Sequence, residues 1–329
     1  MSERSAVKIN NPGTIEFLAG KKILFIASTG GHLAQLALLA KRINPSLDSL
    51  WVTFESDQSR SVLSKYRVRY IDYIPPRGYR EMVSSVTDFN DILRERFDAV
   101  VSTGAGVAAY PLISAARFKR IPTFYIESVS RFDGPSRTGR LLRLVPGIQL
   151  RTQHSSWSDS RWKFEFSVLD IISDHSSVVG DSSAPRSIFV TLGTIKPYRF
   201  DRLIDSVLEA IASLNPRPDM TWQVGATSRD DLPGRVCEHV SAEEFDNLVS
   251  KADLTITHAG VGSLLRLVEL GASTLVLPRK AALGEHVDDH QAQVANYLAN
   301  RRIVWLPGSD RITQQDIEAA RRIRLKVNK

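Results

Sequence analysis

The chain has a single cysteine, Cys237, so no internal disulfide can brace it, and a reducing compartment is its natural setting. No Cys/His spacing of the zinc-binding kind occurs. No uninterrupted apolar run approaches about 18 residues, so no transmembrane helix is expected. Residues 1–21 are polar and lack the apolar core of a signal peptide, which makes a cytoplasmic location the expectation. Zinc-finger, RNA-recognition and arginine-rich signatures are missing as well, leaving no motif with which to read nucleic acid.

The 329 residues are 43% hydrophobic and 24% charged, an ordinary globular balance. Their length fits two domains of about 150 residues each. The net charge is +7 and the pI about 9.5. A basic surplus suits an anionic membrane surface or a phosphate-rich substrate, and a merely solvated basic surface is the plain alternative.

Periodicity predicts strands over 22–27, 50–54, 68–73, 98–102 and 123–126, with helices over 32–43, 58–65 and 107–118. Near-continuous apolar strands separated by helices indicate a parallel sheet covered on both faces. The pattern degrades over 155–181, restarts at 187–192 and continues past Trp305. The fold class is therefore α/β, with a first half over 1–165, a linker over 166–186 and a second half over 187–329. Ligands of open parallel sheets sit at the carboxyl ends of strands, so two such edges facing one another make a cleft.

The most informative stretch is Thr257-His258-Ala259-Gly260-Val261-Gly262-Ser263, followed by Glu269-Leu270-Gly271 and by Glu285-His286-Val287-Asp288-Asp289-His290-Gln291. It reads as a strand, a glycine turn opening a helix, a second strand and a polar loop. Backbone N–H groups at such a helix start are a ready site for phosphate. Glu269 lies two helical turns beyond Gly262, roughly 10 Å along the same face, about the reach from a diphosphate to a ribose. Phosphate end, ribose end and polar loop together suggest a nucleotide carrying something else.

Four further constellations follow strands. Ser28-Thr29-Gly30-Gly31-His32-Leu33 puts His32 at a helix start, where the dipole favours a neutral, base-competent imidazole. Its plain alternative is a tight turn with a surface histidine. Ser102-Thr103-Gly104-Ala105-Gly106 again opens a helix and offers N–H groups to an anion, or packs closely for structural reasons alone. Glu127-Ser128-Val129-Ser130-Arg131 ends a strand, where Glu127 is a candidate base or half of a structural Glu–Arg pair. Thr191-Leu192-Gly193-Thr194 opens the second half and precedes a helix near 198–214, with Gly193 and Thr194 as candidate phosphate contacts.

Arg137, Arg140 and Arg143 interleave with Leu141, Leu142, Leu144 and Val145, a basic and apolar surface suited to an anionic leaflet if helical. Arg77 and Arg80 beside Pro75-Pro76 form a looser basic element, and Arg321, Arg322, Arg324 and Lys326 continue the theme. Asp288-Asp289 reads as a helix cap rather than a metal site, because no second acidic cluster completes an oxygen shell.

With these residues in view, the chain resembles glycosyltransferases of the MurG type, and most of all capsule and exopolysaccharide enzymes related to the two-subunit dolichol-pathway N-acetylglucosaminyltransferase. Ser28 to Leu33, Ser102-Thr103-Gly104 and Ile126-Glu127-Ser128 are similar to the acceptor-side subunit; Thr191 to Thr194 and Thr257 to Gln291 are similar to the donor-side subunit. Both halves stand fused in one polypeptide here. The segment 148–181 matches no pattern of the family, and the membrane-spanning helix of the eukaryotic acceptor-side subunit has no counterpart.

The resemblance implies a GT-B fold, a UDP-sugar donor held by the second half, an acceptor held by the first, inversion at the anomeric carbon, and no cofactor or obligatory metal. It implies His32 or Glu127 as the base. Gly193, Thr194, His258, Gly260, Gly262, Ser263, Glu269, Glu285, His286, Asp289 and Gln291 would meet the donor. Gly30, Gly31, Thr103, Gly104 and Arg131 would meet the acceptor, a polyprenyl-diphosphate-linked saccharide. Arg137, Arg140, Leu141, Leu142 and Arg143 would lie on the inner face of the cell membrane. Glucuronosyl or galactosyl transfer is the expected reaction. A UDP-N-acetylglucosamine 2-epimerase or a non-catalytic nucleotide-sugar-binding partner are the alternatives.

Overall fold

The computed structural model describes residues 13–75, 79–170, 175–179, 183–193, 197–286 and 289–327. Its first sheet contains β1 (Ile23–Ala27), β2 (Leu50–Phe54), β3 (Arg67–Ile71), β4 (Ala99–Gly104), β5 (Thr123–Ile126), β6 (Ile148–Thr152) and β7 (Trp162–Phe164). The order is β3-β2-β1-β4-β5-β6-β7, parallel throughout. After β8 (His175–Val179), a second parallel sheet is built from β9 (Ser187–Thr191), β10 (Asp219–Gln223), β11 (Arg235–Cys237), β12 (Leu254–Thr257) and β13 (Thr274–Val276), ordered β11-β10-β9-β12-β13. The last strand, β14 (Ile323–Val327), pairs antiparallel with β8.

The helices of the first half are α1 (Thr14–Leu18), α2 (Gly31–Ile43), α3 (Asp57–Val62), α4 (Tyr79–Ile92), α5 (Ala109–Ser114) and α6 (Arg137–Arg143). Those of the second are α7 (Asp201–Ala212), α8 (Ala242–Lys251), α9 (Val261–Glu269), α10 (His290–Asn300) and α11 (Gln314–Arg321). Strand order reverses between β1 and β4 in one sheet and between β9 and β12 in the other. The crevice outside the carboxyl ends of such a pair is where an open parallel sheet binds ligands. All four glycine turns singled out in the sequence lie at these two points.

Two differences from the sequence reading have physical causes. The helix expected over 107–118 is broken into a 3-10 turn at Gly106–Ala108, α5, and a π turn at Ala115–Lys119. Pro111 has no N–H to return to the carbonyl of Val107, so no continuous α-helix can run through both. The segment 148–181, which matches no pattern of the family, supplies β6 and, within the stretch read as irregular, β7, and both extend the first sheet. β7 has three residues at the sheet edge, with Lys163 and Phe164 exposed, too short to show a period.

One core joins the two halves. Leu33, Leu36 and Leu39 from α2 pack in the same buried cluster as Leu264, Leu265 and Val268 from α9 and Val294 and Leu298 from α10. The opposite face of the first sheet and the body of the second half have separate clusters. Because the shared cluster spans the seam, the halves should melt together. Leu264→Ala should cost about 2–5 kcal/mol and lower a single calorimetric transition; two resolved transitions would show that the halves melt independently.

Candidate active site

Helices α2 and α9 touch at both ends. At their starts, a Cβ added to Gly262 would lie 3.3 Å from Ala34 Cβ and 3.7 Å from Gly31 Cα. At their far ends, Lys41 Nζ stands 3.6 Å from Glu269 Oε1. The two helices therefore run side by side in the same direction, with both N-termini at the cleft. Aligned dipoles repel one another modestly, and the apolar seam offsets this. The result is two positive helix ends beside each other, one from each half.

His32 is the second residue of α2. Its Nδ1 lies 2.7 Å from the Thr103 carbonyl, and Thr103 Oγ1 donates to the His32 carbonyl at 2.8 Å. A carbonyl only accepts, so Nδ1 carries the proton and Nε2 keeps its lone pair. Burial lowers the His32 pKa, the Thr103 bond opposes this, and the Arg131 charge adds to the lowering. The imidazole covers Gly104, where a Cβ would meet His32 Cε1 at 2.7 Å. Gly104 has φ +111°, and the Gly104–Ala105 peptide is cis. Thr103 and Gly104, the expected acceptor contacts, hold and accommodate this imidazole. Gly104 N is taken by Ser102 Oγ at 3.0 Å, and the Gly30 N–H by Gln58 Oε1 at 2.6 Å.

The second half repeats the device. His258 ends β12 with 6% exposure, and a Cβ at Gly193 or Gly260 would lie 2.5 or 2.4 Å from its Nε2. Burial, with the charges of Arg279 and His286, pulls its pKa down to about 3. His258 is thus a neutral wedge beneath two glycine turns. Thr194 lies outside the described residues.

Glu127 is 1% exposed at the end of β5. Oε1 accepts from Ser128 N at 3.0 Å, and Oε2 from Ser136 N and Oγ at 2.8 and 2.9 Å. Burial raises its pKa against these bonds and the charge of Arg131. A network that sequence did not reveal completes this support. Gln35 Nε2 donates to Ser128 Oγ at 3.1 Å, while Gln35 Oε1 accepts from Val129 N at 2.8 Å and Gln153 Nε2 at 3.1 Å. Gln153 also donates to the Glu127 carbonyl at 2.9 Å. The braced loop after β5 crosses to the second half: Arg131 meets His290, Asp133 meets Gln293, and the Phe132 and Tyr297 rings stand 5.3 Å apart.

Residues 187–311 match the glycosyltransferase family 28 C-terminal domain. A UDP-N-acetylglucosamine–N-acetylmuramyl-(pentapeptide) pyrophosphoryl-undecaprenol N-acetylglucosamine transferase of Parasynechococcus marenigrum is 25% identical over 311 residues, covering 83% of this chain and 80% of the relative. MurG of Acinetobacter baumannii superposes with a TM-score of 0.55 at 18% identity, over 91% of this chain and 89% of that one. The fold is GT-B, and the chain is similar to these transferases over most of its length. The fold also accommodates other chemistry: a structure described as a candidate UDP-N-acetylglucosamine 2-epimerase, from Listeria monocytogenes, reaches a TM-score of 0.55 at 12% identity, over 93% and 91% of the two chains.

Most of the polar loop after β13 holds itself. Glu285 takes Arg202 in a two-point pair at 2.9 and 2.7 Å and also accepts from Lys280 N at 2.8 Å. Asp289 accepts from Ala281 N at 2.8 Å, Gln291 Oε1 from Arg279 N at 3.4 Å. His286 is half-buried, its ring 6.0 Å from Tyr198. Val287 and Asp288 lie outside the described residues. Glu269 is engaged by Arg266 at 2.9 Å as well as by Lys41, which ties it to the interdomain seam. Arg279, which the sequence reading passed over, lies beside Leu192 and His258; its place after Leu277-Pro278, past the end of β13, was the available signal. A cleft of about 390 Å³ opens between α3 and α8, lined by Asp57, Arg60, Ser61, His239, Val240, Ser241 and Glu244.

Helix α6 forms where the arginine–leucine stretch suggested, but it does not present all of it. Leu142 is buried, while Leu141 and Leu144 are 49% and 79% exposed. Arg143 pairs with Asp159 at 3.1 Å. Phe118, 78% exposed among Arg117, Lys119 and Arg120, adds an aromatic that the reading missed. Arg321 is buried and pairs with Asp253 at 3.0 Å, so it belongs to the interior. Arg77 and the side chains of Arg80 and Lys326 are outside the described residues. Among the described residues no helix is long and apolar enough to cross a membrane.

His258 yields a pH prediction. Its folded pKa, near 3, is below the unfolded value near 6.5, so the unfolded chain gains a proton first as pH falls. Its contribution is complete above about pH 6.5 and erodes toward pH 3, by at most ~1.4 kcal/mol per pH unit. Its ring proton shift should stay flat from pH 8 to about 4 by NMR; a midpoint near 6.5 would show that the wedge is solvated.

Proposed function

We propose that this chain is an inverting glycosyltransferase that moves a sugar from a UDP-sugar to a saccharide carried on a polyprenyl diphosphate. The single observation that carries the reading is the meeting of two helix N-termini at one cleft, with an unprotonated imidazole nitrogen on the acceptor side. The likeness to transferases whose names specify a UDP-sugar donor and an undecaprenol-linked acceptor supports it. Capsule or exopolysaccharide synthesis is the setting we assign, with glucuronosyl or galactosyl transfer as the reaction.

In this reading the acceptor hydroxyl attacks the anomeric carbon and its proton passes to His32 Nε2. The bond from that carbon to the β-phosphate oxygen breaks, and the departing UDP carries away the electron pair. The N-terminus of α9, at Gly262 and Ser263, meets the charge that develops on the diphosphate. The N-terminus of α2 serves the acceptor side. Glu127, saturated by Ser128 and Ser136, is assigned a positioning role for the loop that carries Arg131. With helix ends meeting the leaving charge, added EDTA should leave turnover unchanged.

His32→Asn should lower kcat about 100-fold to 10,000-fold while the donor KM holds, measured with a lipid-diphosphate-linked monosaccharide and a panel of UDP-sugars. Near wild-type turnover would remove His32 from the base role. The acid limb of kcat/KM should fall below the ordinary histidine range, because burial lowers this pKa. Glu127→Gln should instead raise the acceptor KM more than it lowers kcat. Conversion of UDP-N-acetylglucosamine without an acceptor would favour the epimerase reading. A purified chain that binds UDP-sugars without turnover would favour a binding partner.

We place the protein at a membrane surface through Phe118, Leu141 and Leu144, ringed by Arg117, Lys119, Arg120, Arg137 and Arg140. A cytoplasmic-face location is part of the same reading. Sedimentation with anionic vesicles should be lost in a Phe118→Asp, Leu144→Asp double variant that keeps its melting temperature. Undiminished sedimentation of that variant would move the membrane surface elsewhere.

A further inference from the structure

Arg279 is 1% exposed, and its guanidinium lies under the donor turns. Its hydrogen bonds go to the carbonyls of Leu192 at 2.5 Å, Glu285 at 3.4 Å and Tyr198 at 3.5 Å. Nε has no hydrogen-bond partner. Among the described residues no carboxylate pairs with it. The acid nearest in its field is Glu285, and Arg202 already neutralises that charge from two nitrogens. Burial lowers the Arg279 pKa to about 10, which still leaves it charged at neutral pH. Its side chain lies over the Phe200 ring, 5.3 Å from the centroid.

Among the described residues the other buried arginine, Arg321, with 7% exposure, pairs with Asp253, and the half-buried Arg202 pairs with Glu285. A buried charge costs several kcal/mol unless an opposite charge answers it. Carbonyl dipoles answer part of this cost and supply no counter-charge. The location selects what does. Leu192 immediately precedes Gly193, and Arg279 lies close enough to His258, the wedge between Gly193 and Gly260, to shift it. This is the switch-point crevice of the second sheet, where the ligand of that half belongs.

We propose that Arg279 is the cation that answers an anionic group of the donor, either the diphosphate or a carboxylate on the transferred sugar. The inference rests on the nucleotide-sugar reading above and adds to it the group that is recognised. Both sources offer the same chemistry, a planar or tetrahedral oxyanion for a guanidinium with a free N–H.

Calorimetry on the full chain tests it, with uridine, UDP, UDP-glucose, UDP-glucuronate and inorganic pyrophosphate as probes against wild type, R279K and R279Q. R279Q should weaken the anionic probes about 10-fold to 100-fold and leave uridine unchanged, with R279K between. Loss confined to UDP-glucuronate assigns Arg279 to the sugar carboxylate. Equal loss for UDP, UDP-glucose, UDP-glucuronate and pyrophosphate assigns it to the diphosphate. Wild-type affinities in R279Q, or a loss for uridine as large as for UDP, would overturn the proposal. Should R279Q not fold, the wild-type chain still decides: pyrophosphate or UDP-glucuronate must raise its melting temperature more than uridine does, and equal shifts refute the inference. Arg279-dependent pyrophosphate binding by a chain that ignores every uridine nucleotide would sustain the anion site while refuting the nucleotide-sugar function.

Discussion

Helices α2 and α9 approach as closely as they do because each presents a glycine at the point of contact. Gly31 and Gly262 stand opposite each other, and even a methyl at Gly262 would press on Ala34 at 3.3 Å. The close approach lets Leu33, Leu36 and Leu39 share a core with Leu264, Leu265 and Val268. It also fixes the cleft, since two helices that start at one level put both positive ends there. Aligned side by side, their dipoles would favour separation, and apolar burial at about 25 cal/mol per Å² readily outweighs a dipole term of less than about 1 kcal/mol. Function and packing therefore depend on the same missing side chains.

Each half then uses an imidazole to shape its own edge of the cleft. Gly104 at φ +111° and Gly193 at φ +72° lie in a region that L side chains avoid, and each faces a histidine ring where its Cβ would be. The two histidines differ in their ring partners. Nδ1 of His32 has a short bond of 2.7 Å to the Thr103 carbonyl, and its ring remains half-buried at the cleft. Among the described residues His258 has long contacts, 3.3 Å to Thr257 Oγ1 and 3.4 Å to the Thr191 carbonyl, and it is enclosed. The same residue type thus stands half-buried at the cleft on one side and enclosed as a spacer on the other, and the proposal of a base at His32 alone rests on that difference in solvent access.

Short-range physics made much of this readable from sequence. The runs at Ile23–Ala27 and Leu50–Phe54 are buried along their whole length, so their apolar character sufficed to call strands. The glycine turns were visible because a turn needs its glycine locally. What sequence could not give was which groups those turns would face. Gln35 joins partners 93, 94 and 118 residues away, and nothing in its helix marks it as buried. Glu285 looked like a sugar contact within a polar loop, until the fold brought Arg202 to it from 83 residues away. Glu269 had the right spacing from Gly262, yet α2 places Lys41 beside it. In each case local chemistry was legible and its partner was not.

Charge follows the same logic across the molecule. Many of the cations behind the +7 surplus have a local acid: Arg60 holds Glu55 and Asp57, Arg229 holds Asp205 and Asp231, Arg311 holds Glu209. Such exposed pairs are worth little, typically about 0.2–1 kcal/mol, and they leave the surface potential almost neutral where they lie. Among the described residues, cations without such partners lie around Phe118 and Leu144 and, at Arg279, within the crevice of the second sheet. The first surface is open to water and suited to a broad anionic plane. The second is desolvated, where one unanswered charge is worth far more, and there it selects for an anion of defined position. A surplus distributed this way separates where the protein would sit from what it would hold.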